Sequence, residues 1–195
     1  MKPYSLDELN KRLDRVNSWV NNCDQKSGIL LAFVGVLFSF LMTSNVIIGG
    51  YEYLVEPFYE YWLGDVDACV SIKRILVFVL LIPIVCCAFK MVYFLLKVLQ
   101  AKIDIEEVSE ENSQITKKSL LHFHSITKME YNSFLSSCIN QNEDSYLKDL
   151  CSQIYCNSKI CTDKFENYKK GLKYFSRTLS FCFIELLIIF LFPQI

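Results

Sequence analysis

The stretch from Gly28 to Ile48 carries no charged residue, and it constrains the fold more than any other feature of the chain. A helix needs about 20 mostly apolar residues to cross the hydrocarbon core of a bilayer, and this stretch is long enough. Two further stretches qualify: residues 75–98, which Lys90 interrupts, and residues 175–195, which contain Glu185. The sequence therefore predicts an all-α membrane protein with three transmembrane helices.

The third stretch has shorter uncharged runs than the other two, so a buried amphipathic helix is the alternative interpretation. Between Phe181 and Phe192, however, every face of a helix is apolar except at Glu185. No polar stripe is left to face water, as a surface helix of a soluble domain would require. This pattern favours a membrane span.

Residues 1–27 precede the first span and form a predicted amphipathic arm. Ser5 and Glu8 have the spacing of a capping box at a helix start. The apolar residues that follow recur at steps of three and four: Leu6, Leu9, Leu13, Val16 and Val20. Acidic residues in this arm argue against a cleavable signal peptide, which has a short basic start.

The distribution of Lys and Arg predicts the orientation of the spans. The arm and residues 99–174 are rich in basic residues, whereas Gly50–Ser71 contains none and is acidic. Because cytoplasmic loops carry the excess of positive charge, the N-terminus and residues 99–174 are expected in the cytoplasm. Residues 49–74 form the predicted outer loop, and the C-terminus is expected to end at the outer face.

Residues 99–174 form a predicted cytosolic domain, mainly helical, inserted between the second and third spans. Residues 120–126 alternate in polarity and predict a short strand. A helix over 127–139 and a loop over 140–144 are expected to follow. No proline occurs between Ser145 and Phe192, so one long helix is predicted to run into the third span.

The chain shows no catalytic constellation. It lacks a glycine-rich phosphate loop, and its two histidines, His122 and His124, are too few ligands to define a metal site. Three cysteines recur every five residues, but that step turns a helix by about 140°, so their sulfurs diverge. We therefore expect no metal and no cofactor, and a membrane enzyme using both histidines is the disfavoured alternative. The formal net charge of −1 gives no reason to expect nucleic acid as a partner.

Two segments resemble the transmembrane effector family of Pycsar antiphage defence systems. The first is a W-x4-D-x-K motif, formed by Trp19, Asp24 and Lys26, that runs directly into the first span. The second is the stretch from Tyr146 to Ile160, which includes Gln153 and Ile154 and is followed by Lys164 and Phe165. The resemblance extends over the arm, the spans and the long helix.

This resemblance implies a role in antiphage defence in the bacterial inner membrane. A partner pyrimidine cyclase would make 3′,5′-cyclic CMP or 3′,5′-cyclic UMP. The effector would bind this messenger and impair the inner membrane, which causes abortive infection; its outer loop would then be periplasmic. A ligand-free structural or regulatory membrane subunit that binds a protein partner is the alternative.

A cyclic nucleotide site needs a basic residue for the phosphate and an aromatic or apolar wall for the base. Tyr155 and Lys159 lie four residues apart on one helix face. The candidate binding residues are Tyr155, Lys159, Lys164, Lys117 and Lys118. A solvated basic face is the alternative interpretation.

Lys90 and Glu185 are predicted at similar depth on antiparallel spans. A lone charge inside a bilayer is costly, so an ion pair within one subunit or between neighbours is expected. The alternative is that Lys90 extends to the headgroups and Glu185 is protonated. Because three helices cannot line a wide pore, a homo-oligomer is also expected.

Overall fold

The computed structural model describes residues 5–43, 46–64, 71–100, 115–116 and 118–191. All regular secondary structure in these ranges is helical. In chain order the helices are α1 (Leu6–Thr43), α2 (Val46–Leu54), α3 (Glu56–Trp62), α4 (Ile72–Leu99), α5 (Phe123–Thr127), α6 (Tyr131–Ile139) and α7 (Glu143–Leu191). Helices α1, α4 and α7 are long and apolar enough to cross a membrane. The prediction of a helical protein with three candidate spans is confirmed.

The chain divides into two compact units. The head unit comprises Met1–Gln25 and Gln100–Glu166, and the span unit comprises Lys26–Leu99 and Asn167–Ile195. Helices α1 and α7 each contribute residues to both units. The insertion of a cytosolic domain between the second and third spans remains a prediction.

In the head unit, the first half of α1 packs along the first part of α7. Leu9, Val16 and Cys23 are buried on α1 at intervals of seven residues, the repeat that keeps one helix face against a partner helix. Buried Leu150 and Cys156 contribute apolar residues from α7. The amphipathic arm predicted over residues 1–27 is thus the start of a longer helix, which continues into the first candidate span.

The predicted strand over residues 120–126 is wrong, because α5 occupies Phe123–Thr127. The backbone N–H groups that a strand would offer to a neighbour are taken by side chains instead. Leu120 N donates to Asp149 Oδ2 at 2.8 Å, and the N–H groups of Leu121 and His122 donate to Ser119 Oγ. The described residues also contain no strand that could pair with this segment.

The boundaries of the last two helices differ from the predicted ones. Helix α6 begins at Tyr131 rather than at residue 127. Helix α7 begins at Glu143 because Asn142 Oδ1 accepts a hydrogen bond from Ser145 N at 2.8 Å and so satisfies an unpaired donor of the first turn. The prediction of one uninterrupted helix into the last span is confirmed up to Leu191.

In the span unit, α4 and α7 run antiparallel in close contact. Leu95 lies against Gly171, and the ring of Phe94 stacks on that of Tyr174 with centroids 5.6 Å apart. A Cβ atom added at Gly171 would lie only 2.9 Å from Leu95 Cδ2. Glycine therefore permits the close approach of the two helices at this point.

The segment predicted as an outer loop, residues 49–74, is partly helical and contains the end of α2, all of α3 and the start of α4. A proline at the start of α3 fits its geometry, because proline has the backbone angle of a first helical turn. Gly64 follows α3 with a φ of 84°, which only glycine adopts without strain. Phe58 contacts Phe78 of α4 with ring centroids 5.7 Å apart.

Candidate functional site

Three polar contacts join α1 to α7 in the head unit, and we call this contact line the seam. The partners are Asn10 with Tyr146, Asn17 with Asn157, and Asp24 with Lys164, at 3.3, 2.8 and 2.5 Å. Their sequence separations are 136, 140 and 140 residues, so the two helices run parallel. The α1 members recur every seven residues, as expected for a helix that keeps one face against its partner.

The Asp24–Lys164 contact is a largely buried ion pair. The side chain of Lys164 is 11% exposed and that of Asp24 is 34% exposed. Asp24 belongs to the first segment that resembles the effector family, and Lys164 lies four residues after the end of the second. Lys164 is therefore part of the seam, and its role as a ligand for a messenger phosphate stays a prediction.

A polar cleft of about 380 Å³ lies along α1 in the head unit. Its lining residues share one helix face, since they recur at steps of three and four, and all of them are polar. They are Asp14, Asn17, Ser18, Asn21, Asn22 and Gln25. Amide side chains carry both donors and acceptors, so this cleft can hold a small molecule by directional hydrogen bonds. The cleft is shallow, because one helix alone lines it and it is open to solvent.

A buried polar cluster holds the segment before α5 against α7. Gln153 Nε2 donates to Ser119 Oγ at 3.0 Å, and Ser152 Oγ accepts from Thr116 N at 3.2 Å. Ser119 is fully buried, and Gln153 is 4% exposed. These contacts give Gln153, predicted from the family resemblance, a structural role in this cluster.

Two atoms beside this cluster, Asp149 Oδ1 and His122 Nδ1, are buried without a hydrogen-bond partner in the described part of the chain. Burial lowers the pKa of His122, and His124 lowers it further, while the Asp149 carboxylate raises it. His122 is therefore neutral at physiological pH. Within the described ranges, no group of three His, Cys, Asp or Glu residues is placed to hold a metal ion.

The other predicted messenger residues are only partly brought together. The ammonium of Lys159 lies 5.8 Å from the ring centroid of Tyr155, whose side chain is about half exposed. Lys118 is exposed on the segment before α5, and Lys117 lies outside the described residues. Tyr155 and Lys159 thus form a small surface pair.

The remaining family-motif residues lie at the surface or on the rim of the core. Trp19 is half exposed, Lys26 is exposed and Ile154 is half-buried. The seam residues Asn10, Asn17 and Asn157 and the α1 cleft are not among the sites predicted from the sequence. One signal was available for the seam, because Asn10, Asn17 and Asp24 repeat every seven residues on an amphipathic helix.

The register of α4 and α7 does not bring Lys90 and Glu185 together within one subunit. Phe94 lies opposite Tyr174, and Lys90 Nζ lies 5.6 Å from the centroid of that same ring. Because the helices are antiparallel, Lys90 is level with the region around residue 177. Glu185 is then about eight residues further along α7, which is roughly 12 Å along the helix axis from the level of Lys90. An ion pair between neighbouring copies stays a prediction.

The two segments that resemble the effector family thus meet in one structural unit, at the Asp24–Lys164 pair. A family model described as the Pycsar effector protein domain matches residues 8–192. The chain belongs to the Pycsar effector family. It is 30% identical over 186 residues to the Pycsar effector protein GmPycTM of Gulbenkiania mobilis, over 95% of this chain and 93% of that protein. No solved structure matches it.

Membership of the Pycsar effector family confirms the resemblance inferred from the two segments. It identifies the chain as an effector of antiviral defence. The three long apolar helices agree with a protein of the membrane. The matched range includes the seam, the α1 cleft and the candidate spans, so each of these is part of the family domain.

Proposed function

We propose that this Pycsar effector is activated by a cyclic pyrimidine nucleotide and then impairs the bacterial inner membrane, causing abortive infection. A partner cyclase would supply 3′,5′-cyclic CMP or cyclic UMP. The observation that carries the proposal is the family match over nearly the whole chain, combined with three helices that can cross a bilayer. We also propose that the effector acts as a homo-oligomer, because three helices alone cannot enclose a wide pore.

We further propose that the α1 cleft is the messenger site. The amides of Asn21, Asn22 and Gln25 can donate and accept hydrogen bonds along the edge of a pyrimidine. Arg15 is exposed on α1, and its positions relative to Ser18 and Asn22 place it on the same face as the cleft. It would supply the positive charge that a cyclic phosphate needs.

In this proposal, Asp14 makes the cleft prefer cytosine over uracil. A carboxylate accepts hydrogen bonds, and cytosine offers an exocyclic amino group, whereas uracil has a carbonyl oxygen at that position. A carboxylate facing the uracil oxygen would repel it. The cleft therefore favours cyclic CMP over cyclic UMP.

A binding assay on the full-length protein in detergent tests the site. Cyclic CMP, cyclic UMP, cyclic AMP and cyclic GMP would each be titrated by calorimetry. We expect Asp14→Asn to reduce the preference for cyclic CMP over cyclic UMP by at least about five-fold, since one base contact contributes about 1–3 kcal/mol of discrimination. Asn22→Ala should weaken both pyrimidine nucleotides.

Asn132→Ala is the matched control, because Asn132 is an exposed amide on α6 outside the cleft. Lys159→Ala tests the alternative site beside Tyr155. If the cleft variants bind like the wild type while Lys159→Ala loses binding, the messenger site lies on α7 instead. If no nucleotide binds to the wild type, the result favours a membrane subunit without a ligand.

We propose a cytoplasmic N-terminus, a periplasmic segment over 49–74 and an outward C-terminus. Trp62 on α3 is 86% exposed, so a Trp62→Cys substitution would present a thiol outside the cell. In a chain carrying Cys69→Ser, this thiol should react with an impermeant maleimide in intact cells. Exposed Cys151 should react only after lysis, and the opposite pattern would reverse the topology.

A further inference from the structure

Three cations surround one stacked aromatic pair in the span unit. The rings of Phe94 and Tyr174 are nearly parallel, with an interplanar angle of 5°. Lys90 Nζ and Arg177 Cζ lie 5.6 and 5.5 Å from the Tyr174 centroid, and Lys170 Nζ lies 5.9 Å from that of Phe94. We call these five residues the basic aromatic cluster.

Helix periodicity and close packing build this cluster. On α4, Lys90 and Phe94 are four residues apart, and on α7 the three members lie at intervals of four and three, so each set shares one face. Gly171 packs against Leu95, which is fully buried, next to the cluster. The cluster is therefore held by the core of the α4–α7 contact and not by flexible surface chains alone.

The positive charge of the cluster is not balanced from within the described chain. Helix α4 contains no acidic residue, and none of the three cations forms an ion pair with a described carboxylate. Cation–π contacts hold the side chains in place but leave their net charge unchanged. An anion from outside the protein would complete the site.

The position of the cluster indicates which anion is available. It lies where α7 changes from a charged segment to its apolar span, which begins near Phe175. On α4, the neighbouring side chains of Phe89 and Tyr93 are 74% and 59% exposed. Aromatic residues are enriched where a span meets the headgroups, and basic residues mark the cytoplasmic side. Phosphate groups of anionic lipids are concentrated at this level.

We propose that the basic aromatic cluster binds the phosphate of an anionic phospholipid in the cytoplasmic leaflet. The Arg177 guanidinium can bind two phosphate oxygens at once, and the two lysines add point charges on either side of the aromatic pair. The exposed apolar surface around Phe89 would face the acyl chains. A lipid therefore matches both parts of this surface, whereas a free phosphate ion matches only the charged part.

The test compares two double variants of the full-length protein in neutral detergent, without any nucleotide. Lys170→Gln with Arg177→Gln removes two charges of the cluster. Lys148→Gln with Lys169→Gln removes two exposed charges of the same helix outside the cluster, because Lys169 lies on another face and Lys148 lies 22 residues before Lys170. Binding of fluorescent phosphatidylglycerol is measured, with phosphatidylcholine and inorganic phosphate as competitors.

We expect the cluster variant to lose roughly 25-fold in phosphatidylglycerol affinity, at about 1 kcal/mol for each basic residue, and the control variant less than three-fold. If the cluster variant and the control variant lost phosphatidylglycerol affinity equally, the proposal would be overturned, because the lipid would then be attracted to the whole basic surface. Unchanged binding in the cluster variant would overturn it as well. Competition by inorganic phosphate as strong as that by the lipid would overturn the assignment to a lipid.

A charge-preserving exchange, Lys170→Arg with Arg177→Lys, distinguishes the loss of positive charge from misfolding. This exchange keeps two cations on the aromatic pair and should retain binding to within about five-fold. Loss of binding in this variant, with an unchanged melting temperature, would contradict a site built on positive charge.

Discussion

The seam is best tested by removing one charge of the Asp24–Lys164 pair. The two residues are unequally buried, since the side chain of Lys164 is 11% exposed and that of Asp24 is 34% exposed. Asp24→Asn leaves the more buried group as an unpaired ammonium. Lys164→Met leaves a carboxylate that water can still reach. The two substitutions should therefore have different costs, although both break the same contact.

Removing one partner of a fully buried ion pair costs about 3–5 kcal/mol. Because Asp24 is about one-third exposed, solvent screens the pair, and we expect about 2–3 kcal/mol for Asp24→Asn. The cost of Lys164→Met should be about 1–2 kcal/mol, since the remaining carboxylate is hydrated. For a chain of this size the larger loss corresponds to a fall in melting temperature of about 5–10 °C.

Tryptophan fluorescence can follow melting of the head unit alone. The chain has two tryptophans, of which Trp19 lies on α1 in the head unit and Trp62 on α3. A Trp62→Phe background makes Trp19 the single reporter. The control is Lys11→Met, which breaks the Lys11–Asp7 pair of similar length, 2.6 Å, but with side chains 69% and 74% exposed. An exposed pair contributes little, so this control should melt like its parent.

The double variant Asp24→Asn with Lys164→Met should be more stable than Asp24→Asn alone, because it leaves no unpaired buried charge. An equal fall in melting temperature for Lys164→Met and Asp24→Asn would contradict the expected difference between a buried ammonium and a hydrated carboxylate. Simple addition of the two single effects in the double variant would contradict the expected pairing of the two charges.

Three further predictions concern packing, pH and the buried polar cluster. Gly171→Ala would place a Cβ atom 2.9 Å from Leu95 Cδ2, so we expect a loss of about 1–3 kcal/mol in thermal unfolding in detergent, and an unchanged melting temperature would contradict it. Burial lowers the pKa of His122, so the unfolded chain binds this proton at a higher pH than the folded chain does. The melting temperature should therefore fall as the pH drops below about 6.5, and His122→Gln should flatten that dependence; a slope unchanged by the substitution would contradict it. Ser119→Ala removes the acceptor for Gln153 Nε2 and should lower stability by about 1–3 kcal/mol, read from Trp19 fluorescence, whereas an unchanged curve would show that water replaces the hydroxyl.

Local patterns in the sequence predicted the three long helices but not the short helices α2, α3 and α5. The uncharged stretch after Gly28 corresponds to part of α1, and the proline-free stretch after Ser145 corresponds to part of α7. Both could be predicted because hydropathy and the absence of proline are properties of consecutive residues. The strand predicted over 120–126 failed for the opposite reason. The segment does alternate in polarity, but its backbone N–H groups donate hydrogen bonds to the side chains of Asp149 and Ser119. The pattern of polarity within the segment does not show these contacts.

Hydropathy and motif spacing along the chain already indicate that it forms long helices, that three of them can cross a bilayer, and that two segments resemble one effector family. The packing of the helices is needed to show that Asp24 contacts Lys164, 140 residues away, and that Lys90 lies near Tyr174. The physical reason is that periodicity assigns a residue to a face of its own helix but says nothing about the direction or register of the partner helix. A shift of eight residues between two helices leaves both hydropathy patterns intact and moves a charge by about 12 Å.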